Sequence, residues 1–161
     1  MWEGFFNRAL SEREVTDAVT ALLQVTAPET LLVDDVTETE PGPEVRVLCE
    51  CRPQRGQFPF RLTLYLRDDS LHGRYERQFF QGLSAVLGCA CLLADRSLSP
   101  HSMLLLQSPG RASRVCLDPD RLEEGEYVLL RSHGSSERPR EPARRDGSQP
   151  SEEGSMTMEE G

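Results

Sequence analysis

From Phe58 to Arg67 the chain alternates without a break: Phe58, Phe60, Leu62, Leu64 and Leu66 stand against Pro59, Arg61, Thr63, Tyr65 and Arg67. A period of two is strand geometry, because successive side chains of a β-strand point to opposite sides of a sheet. A helix would scatter these apolar residues around its circumference and could bury none of them together. The run therefore demands a sheet with one buried and one wet face. Val45, Val47, Cys49 and Cys51 alternate in the same way against Arg46, Leu48, Glu50 and Arg52. Pro53-Gln54-Arg55-Gly56-Gln57 separates the two runs, which predicts a hairpin. One allowed register sets Glu50 across from Arg61, a favourable pair of charges. Thr30 to Thr37 supplies an earlier strand, with Pro41-Gly42-Pro43 as the turn after it.

Two segments carry the helical period instead. Ser11-Glu12-Arg13-Glu14 is a capping box, with Leu10 and Val15 at the positions of a hydrophobic staple. Val15, Ala18, Val19, Leu22 and Leu23 then form one apolar stripe, and Ala27-Pro28 ends the pattern. The second helix is predicted from about Arg74 to Leu87. Its stripe is Tyr75, Phe79, Phe80, Leu83, Val86 and Leu87, and Gly88 stands where a helix ends in a left-handed residue. Upstream of both, Trp2, Phe5, Phe6 and Ala9 also follow helical spacing, either as a short helix docked on the core or as an exposed anchor.

Four further strands are expected. Cys89 to Ala94 reads as a strand covered on both faces. Met103 to Gln107 and Ser113 to Leu117 flank a turn at Ser108-Pro109-Gly110-Arg111, and Glu126 to Arg131 closes the domain. The predicted fold is α+β, two helices packed on one face of a mostly antiparallel sheet, in the order α-β-β-β-α-β-β-β-β. This domain spans residues 1–132. From His133 to Gly161 the chain is built from Ser, Glu, Arg, Pro and Gly, with Met156 and Met158 the large apolar residues. Such a composition cannot bury enough surface to offset its ordering entropy, so residues 133–161 are expected to be a disordered polar tail.

Charge and composition exclude several activities. The net charge of −9 opposes binding to nucleic acid phosphates and to anionic membranes. All 18 basic residues are arginine, so no Schiff base and no phosphate-binding lysine is available. The opening Met1 to Arg8 lacks the basic region and long apolar run of a secretory signal, and the cysteine count is odd. The thiols are therefore expected to be reduced and the location cytoplasmic. No phosphate-cradling glycine loop or nucleophile elbow is present, and no enzymatic constellation or cofactor is expected.

Three groups of residues are candidates for a site. If the first three strands form a meander and the second helix crosses over to a parallel fourth, Asp34, Asp35, Asp68, Asp69 and Asp95 gather at one rim of the sheet, with Glu38 beside them. That rim would receive a basic protein partner through complementary charge. The alternative is the wet face, where Arg46, Arg52, Arg61, Tyr65 and Arg67 combine residue types common at binding hot spots. Finally, Cys49, Cys51, Cys89 and Cys91 offer four thiols to a metal, but one-residue spacing on strands suits packing better than coordination. The metal reading, and an enzyme built on it, is the minor alternative.

Phe79-Phe80-Gln81-Gly82-Leu83 leads into Leu87-Gly88-Cys89-Ala90-Cys91-Leu92-Leu93. Pro100, Met103-Leu104-Leu105-Leu106, Pro109-Gly110 and Val115-Cys116-Leu117-Asp118 follow, before Leu122-Glu123-Glu124. This stretch resembles the C-terminal half of small acidic bacterial immunity proteins, which neutralise polymorphic or contact-delivered toxins. The resemblance implies a cytoplasmic, single-domain α+β protein that binds a cognate toxin directly, and it carries no assignment of individual residues. The succession of helix, three strands, helix and further strands also resembles type III secretion chaperones, which imply dimerisation and an escorted effector. Both imply a non-enzymatic acidic protein whose partner is another protein, a toxin or an effector, with the oligomeric state left open.

Overall fold

The computed structural model describes residues 1–130. The tail expected over 133–161 lies outside the described residues, as does the Arg131 end of the last predicted strand. Among the described residues the chain is α+β, with four helices and a mostly antiparallel seven-stranded sheet. The strands of this sheet are β1 (Trp2–Phe6), β2 (Thr30–Val33), β3 (Val47–Pro53), β5 (Phe60–Leu66), β6 (Cys91–Ala94), β7 (Ser102–Gln107) and β8 (Arg111–Cys116), in the spatial order β2-β3-β5-β1-β6-β7-β8. Two short strands, β4 (Arg55–Gly56) and β9 (Glu126–Tyr127), pair in parallel as a separate ribbon. The helices are α1 (Glu12–Leu23), α2 (Asp69–His72), α3 (Glu76–Leu87) and α4 (Pro119–Glu123).

Local signals are realised closely. Ser11 caps α1, its hydroxyl accepting from the Glu14 amide while the Glu14 carboxylate accepts from the Ser11 amide. Two such donors would otherwise stay unpaired at a helix start. The helix stops at Gln24, which takes the left-handed conformation at φ 57°, ahead of the predicted stop at Ala27-Pro28. Gly88 does the same for α3 at φ 62°. The hairpin joining β7 and β8 turns at the expected place, with Gly110 at φ 65°.

Two expectations are overturned. The N-terminal aromatic segment is neither a helix nor an anchor: it is β1, inserted at the middle of the sheet between β5 and β6. The element order therefore opens on a strand. Trp2 and Phe6 face the helices, packing on Phe79 and on Phe80 respectively, while Phe5 faces the other way and stacks on Tyr127. Gly4 is required between them, because a Cβ there would lie 2.6 Å from Phe80 Cε1 and 2.9 Å from Cys91 Sγ. Both sides of this strand are covered, so it shows no apolar–polar alternation.

Strand direction is the second correction. β2 runs parallel to β3, not antiparallel as a meander requires, because residues 34–46 carry the chain back to the starting end before β3 begins. The β3–β5 hairpin is antiparallel as predicted, but its register pairs Glu50 with Thr63 and Arg52 with Arg61.

One face of the sheet holds Val47, Cys49, Leu62, Leu64, Phe6 and Cys91 in a single apolar cluster with Val15, Val19 and Leu23 of α1 and Phe79, Phe80 and Leu83 of α3. The opposite face is not simply wet. Phe5, Phe58, Leu92, Met103 and Leu105 form a second cluster there, closed over by Leu117, Leu122, Tyr127 and Leu129 from the segment that contains α4 and β9. A second apolar layer on this side is what the alternation alone did not announce. Among the described residues no helix is long and apolar enough to cross a membrane.

Candidate functional site

The reversed direction of β2 divides the acidic rim. Asp34 and Asp35 follow the C-terminal end of β2, which is parallel to β3; Asp68 and Asp69 follow the end of β5, which is antiparallel to β3. The two pairs therefore sit at opposite ends of the sheet. Asp95 follows β6, whose direction matches β5 because both pair antiparallel with β1, so it lies at the Asp68 end. The five aspartates do not form one site.

At the Asp68 end two of the three aspartates, Asp68 and Asp95, are occupied by the fold itself. Asp68 caps α2, accepting from the Ser70 amide at 2.8 Å, and takes the Arg46 Nε–H at 2.5 Å. The Ser70 hydrogen bonds, followed by Arg46, pull its carboxyl down to about 2. Asp95 accepts from Ser102 Oγ at 2.8 Å and pairs with Arg114 Nε at 2.6 Å, and both hold its pKa below the ordinary value. Asp69 is fully exposed, with His72 Nδ1 3.5 Å away.

Around the end of β2 the balance is different. A cavity of about 340 Å³ opens there, walled by Leu32, Val33 and Cys51 and ringed by Glu12, Asp34, Asp35 and Glu38. Three elements converge on it: the first turn of α1 brings Glu12, β2 leads into Asp34, and the 3-10 turn Val36–Glu38 brings Glu38. Asp35 caps that turn through the Thr37 amide and hydroxyl, at 2.8 and 2.6 Å, and pairs with Arg52 at 3.0 Å. Glu12, Asp34 and Glu38 make no ion pair among the described residues; the Asp34 group that Arg52 contacts is the backbone carbonyl, at 3.2 Å. The negative field of this ring reaches the Cys51 thiol, which burial first, then Asp34, Glu12 and Glu50, push up to about 12. A concave surface with three uncompensated carboxylates can hold a guanidinium or ammonium group by charge-assisted hydrogen bonds.

The arginine patch, by contrast, is spent on the fold. Arg46 bridges Glu29 and Asp68, and Arg67 donates to the carbonyls of Gly42 and Val45, fixing the loop that precedes β3. Arg52 reaches Glu50 at 2.8 Å, and Arg61 lies 3.9 Å from Glu50 and 4.0 Å from Glu3. Glu50 is 5% exposed and also accepts from the Val36 amide at 3.2 Å, so it ties β3 to the acidic turn. Tyr65 stands beside this network half-buried, and burial raises its hydroxyl pKa. Of the four arginines only Arg67 lacks a carboxylate partner among the described residues, so they form no continuous cationic face.

Nor do the cysteines converge. Cys49, Cys89 and Cys91 are buried in the helix-side cluster, with Cys51 packed against it. β3 and β6 have β5 and β1 between them, a separation of roughly 14 Å at the usual strand spacing. Burial pushes the Cys49 and Cys91 thiols well up, which suits inert packing groups. The four-thiol metal site is therefore incompatible with the sheet order.

Two acids of structural weight were not singled out by pattern: Glu12, which only tertiary packing brings to the cavity, and Glu126. The latter is buried on β9 between Arg55 at 3.1 Å and Arg121, and clamps the C-terminal segment to β4. Glu50 alone carried a sequence signal, an acid amid arginines on the polar side of two alternating strands. No protein-family model, no curated protein and no solved structure matches this chain.

Proposed function

We propose that this chain is a non-enzymatic binding protein that recognises a basic segment of another protein in the carboxylate cavity at the end of β2. The observation that carries the reading is the contrast between the two ends of the sheet. Asp68 and Asp95 are neutralised by Arg46 and Arg114, whereas Glu12, Asp34 and Glu38 face a cavity without a cation. Uncompensated charge of one sign in a concavity destabilises a fold slightly and is repaid when an oppositely charged ligand arrives. A net charge of −9 strengthens the same attraction at long range. Neutralisation of a toxin by direct binding, as the resemblance to immunity proteins implies, is the biological role in keeping with this surface.

The test uses a hexa-arginine peptide as the probe and the Asp34→Asn/Glu38→Gln double variant as the perturbation. A second double variant, Asp120→Asn/Glu123→Gln on α4, removes the same charge elsewhere. Titration at low and moderate salt should show affinity falling about ten-fold in the first variant and little in the second, with a flatter salt dependence in the first. Equal losses in both variants would reduce the attraction to net charge and sink the cavity as a site. Measured turnover on a small substrate would overturn the non-enzymatic reading.

A further inference from the structure

Among the described residues every arginine but Arg77, Arg96 and Arg111 meets a carboxylate or a backbone carbonyl. Arg111 begins β8, far from the other two. Arg77 and Arg96 line one cavity of about 360 Å³ beside the head of α3. Arg77 comes from the first turn of that helix, and Arg96 from the loop that follows β6. The wall between them is apolar. Leu93 of β6 and Leu104 of β7 are cross-strand partners on the helix side of the sheet, the first buried and the second half-buried. Tyr75 stands at the rim, 71% exposed.

Two acids share this lining, and the fold engages both. Glu76 accepts the Glu3 amide at 3.0 Å. Asp95 accepts from Ser102 Oγ and holds Arg114, which adds a third guanidinium beside the cavity. Three cations against two carboxylates leave a surplus of one positive charge, in a chain whose net charge is −9. That balance selects the ligand. A basic group would have to displace the arginines, and a dianion such as a phosphate monoester would oppose Glu76 and Asp95. A single carboxylate matches the surplus, and guanidinium groups bind carboxylates through paired, charge-assisted hydrogen bonds. The apolar wall asks for more than a bare anion, since Leu93, Leu104 and the Tyr75 ring can cover an aryl or alkyl body. The volume falls at the small end of the range for small-molecule sites, roughly 300–1,000 Å³.

We propose that this cavity binds a small monocarboxylic acid, its carboxylate held between Arg77 and Arg96 and its apolar body lying on Leu93, Leu104 and Tyr75. The site is independent of the reading above. It lies at the Asp95 end of the sheet, opposite the end of β2, and takes a ligand of the opposite charge.

Titration of the full chain with phenylbutyrate, followed by backbone amide shifts, tests this directly. Phenylbutanol supplies the same body without the charge, and acetate the charge without the body. Phenylbutyrate should bind saturably at about millimolar affinity or tighter, with the largest shifts at Leu93 to Arg96 and at Leu104. Both partial probes should bind about ten-fold more weakly or not at all. Arg77→Gln/Arg96→Gln should lose about ten-fold in affinity, and so should Ala94→Glu, which sets a carboxylate on the exposed cavity wall. Arg13→Gln/Arg111→Gln removes the same charge from exposed positions elsewhere and should bind as the parent does. All these positions are exposed, so thermal melts should match the parent and exclude unfolding as the cause. The proposal is overturned by a parent without saturable binding up to about 10 mM, by phenylbutanol binding as tightly as the acid, or by equal losses in the two arginine double variants. None of these outcomes bears on the cavity at the end of β2, whose probe is a cation.

Discussion

Gly4→Ala separates the observed fold from the one that helical spacing suggests, because the two predict effects of opposite sign. In a short exposed helix, replacing Gly by Ala stabilises by up to about 1 kcal/mol. In β1 the added methyl meets Phe80 Cε1 at 2.6 Å, Phe80 Cδ1 at 2.8 Å and Cys91 Sγ at 2.9 Å. These neighbours cannot give way easily. Phe80 and Cys91 are both 0% exposed, and Phe80 is wedged against Phe6 and Phe79. Overpacking of this kind costs about 1–3 kcal/mol. For a domain of this size that lowers the melting temperature by about 4–12 °C. Circular dichroism melts, with urea unfolding to confirm an unchanged m-value, provide the assay. Phe80→Leu in the Gly4→Ala background should recover part of the loss, so the double-mutant cycle has a coupling energy of about 0.5 kcal/mol or more. An unchanged or raised melting temperature, or additive effects of the two substitutions, would refute the placement of Gly4 against Phe80 at the centre of the sheet.

Acid lability and thiol reactivity provide two more tests. The Asp68 and Glu14 carboxyls are both held down to about 2 in the folded chain, Asp68 chiefly by its Ser70 hydrogen bonds and Glu14 chiefly by its bond to the Ser11 backbone. Groups depressed on folding stabilise above their unfolded pKa, near 4, and that stability drains away as pH falls toward 2. The melting temperature should therefore decline over this window, and Asp68→Asn should be less stable at neutral pH with a shallower decline; an identical acid profile in the variant would refute the assignment. With a thiol reagent at pH 8, the exposed Cys116 should react quickly in the native protein. Cys49, Cys89 and Cys91 should respond on the timescale of unfolding, because they are buried and burial raises their pKa values, while Cys51 in the cavity wall should react slowly because its thiol is pushed up to about 12. Rapid reaction of a second thiol would show the core to be more open than described.

What could be read from residues alone was what short-range physics controls. The Ser11–Glu14 capping box, the left-handed Gly88, the turn at Pro109-Gly110 and the alternation of β3 and β5 each follow from interactions within a few positions. They were legible because backbone hydrogen bonding and side-chain period act locally. Trp2–Phe6 escaped because a strand covered on both sides has no alternation to show, and because its partners β5 and β6 lie far along the chain. The candidate site was lost and recovered for the same reason. That Asp34 and Asp35 end a strand was legible; that β2 runs parallel to β3 was not, because residues 34–46 set that direction and no local rule dictates where so long a connection returns. This one reversal parts Asp34 from Asp68. It also lets the first turn of α1 bring Glu12 to the end of β2, and leaves Arg46, Arg52 and Arg61 to meet Asp68, Asp35 and Glu50 from other segments of the chain. Local sequence determines which charges exist and which elements hold them; the pairing of those charges is decided by packing, since an ion pair depends on distances that close only when distant strands meet.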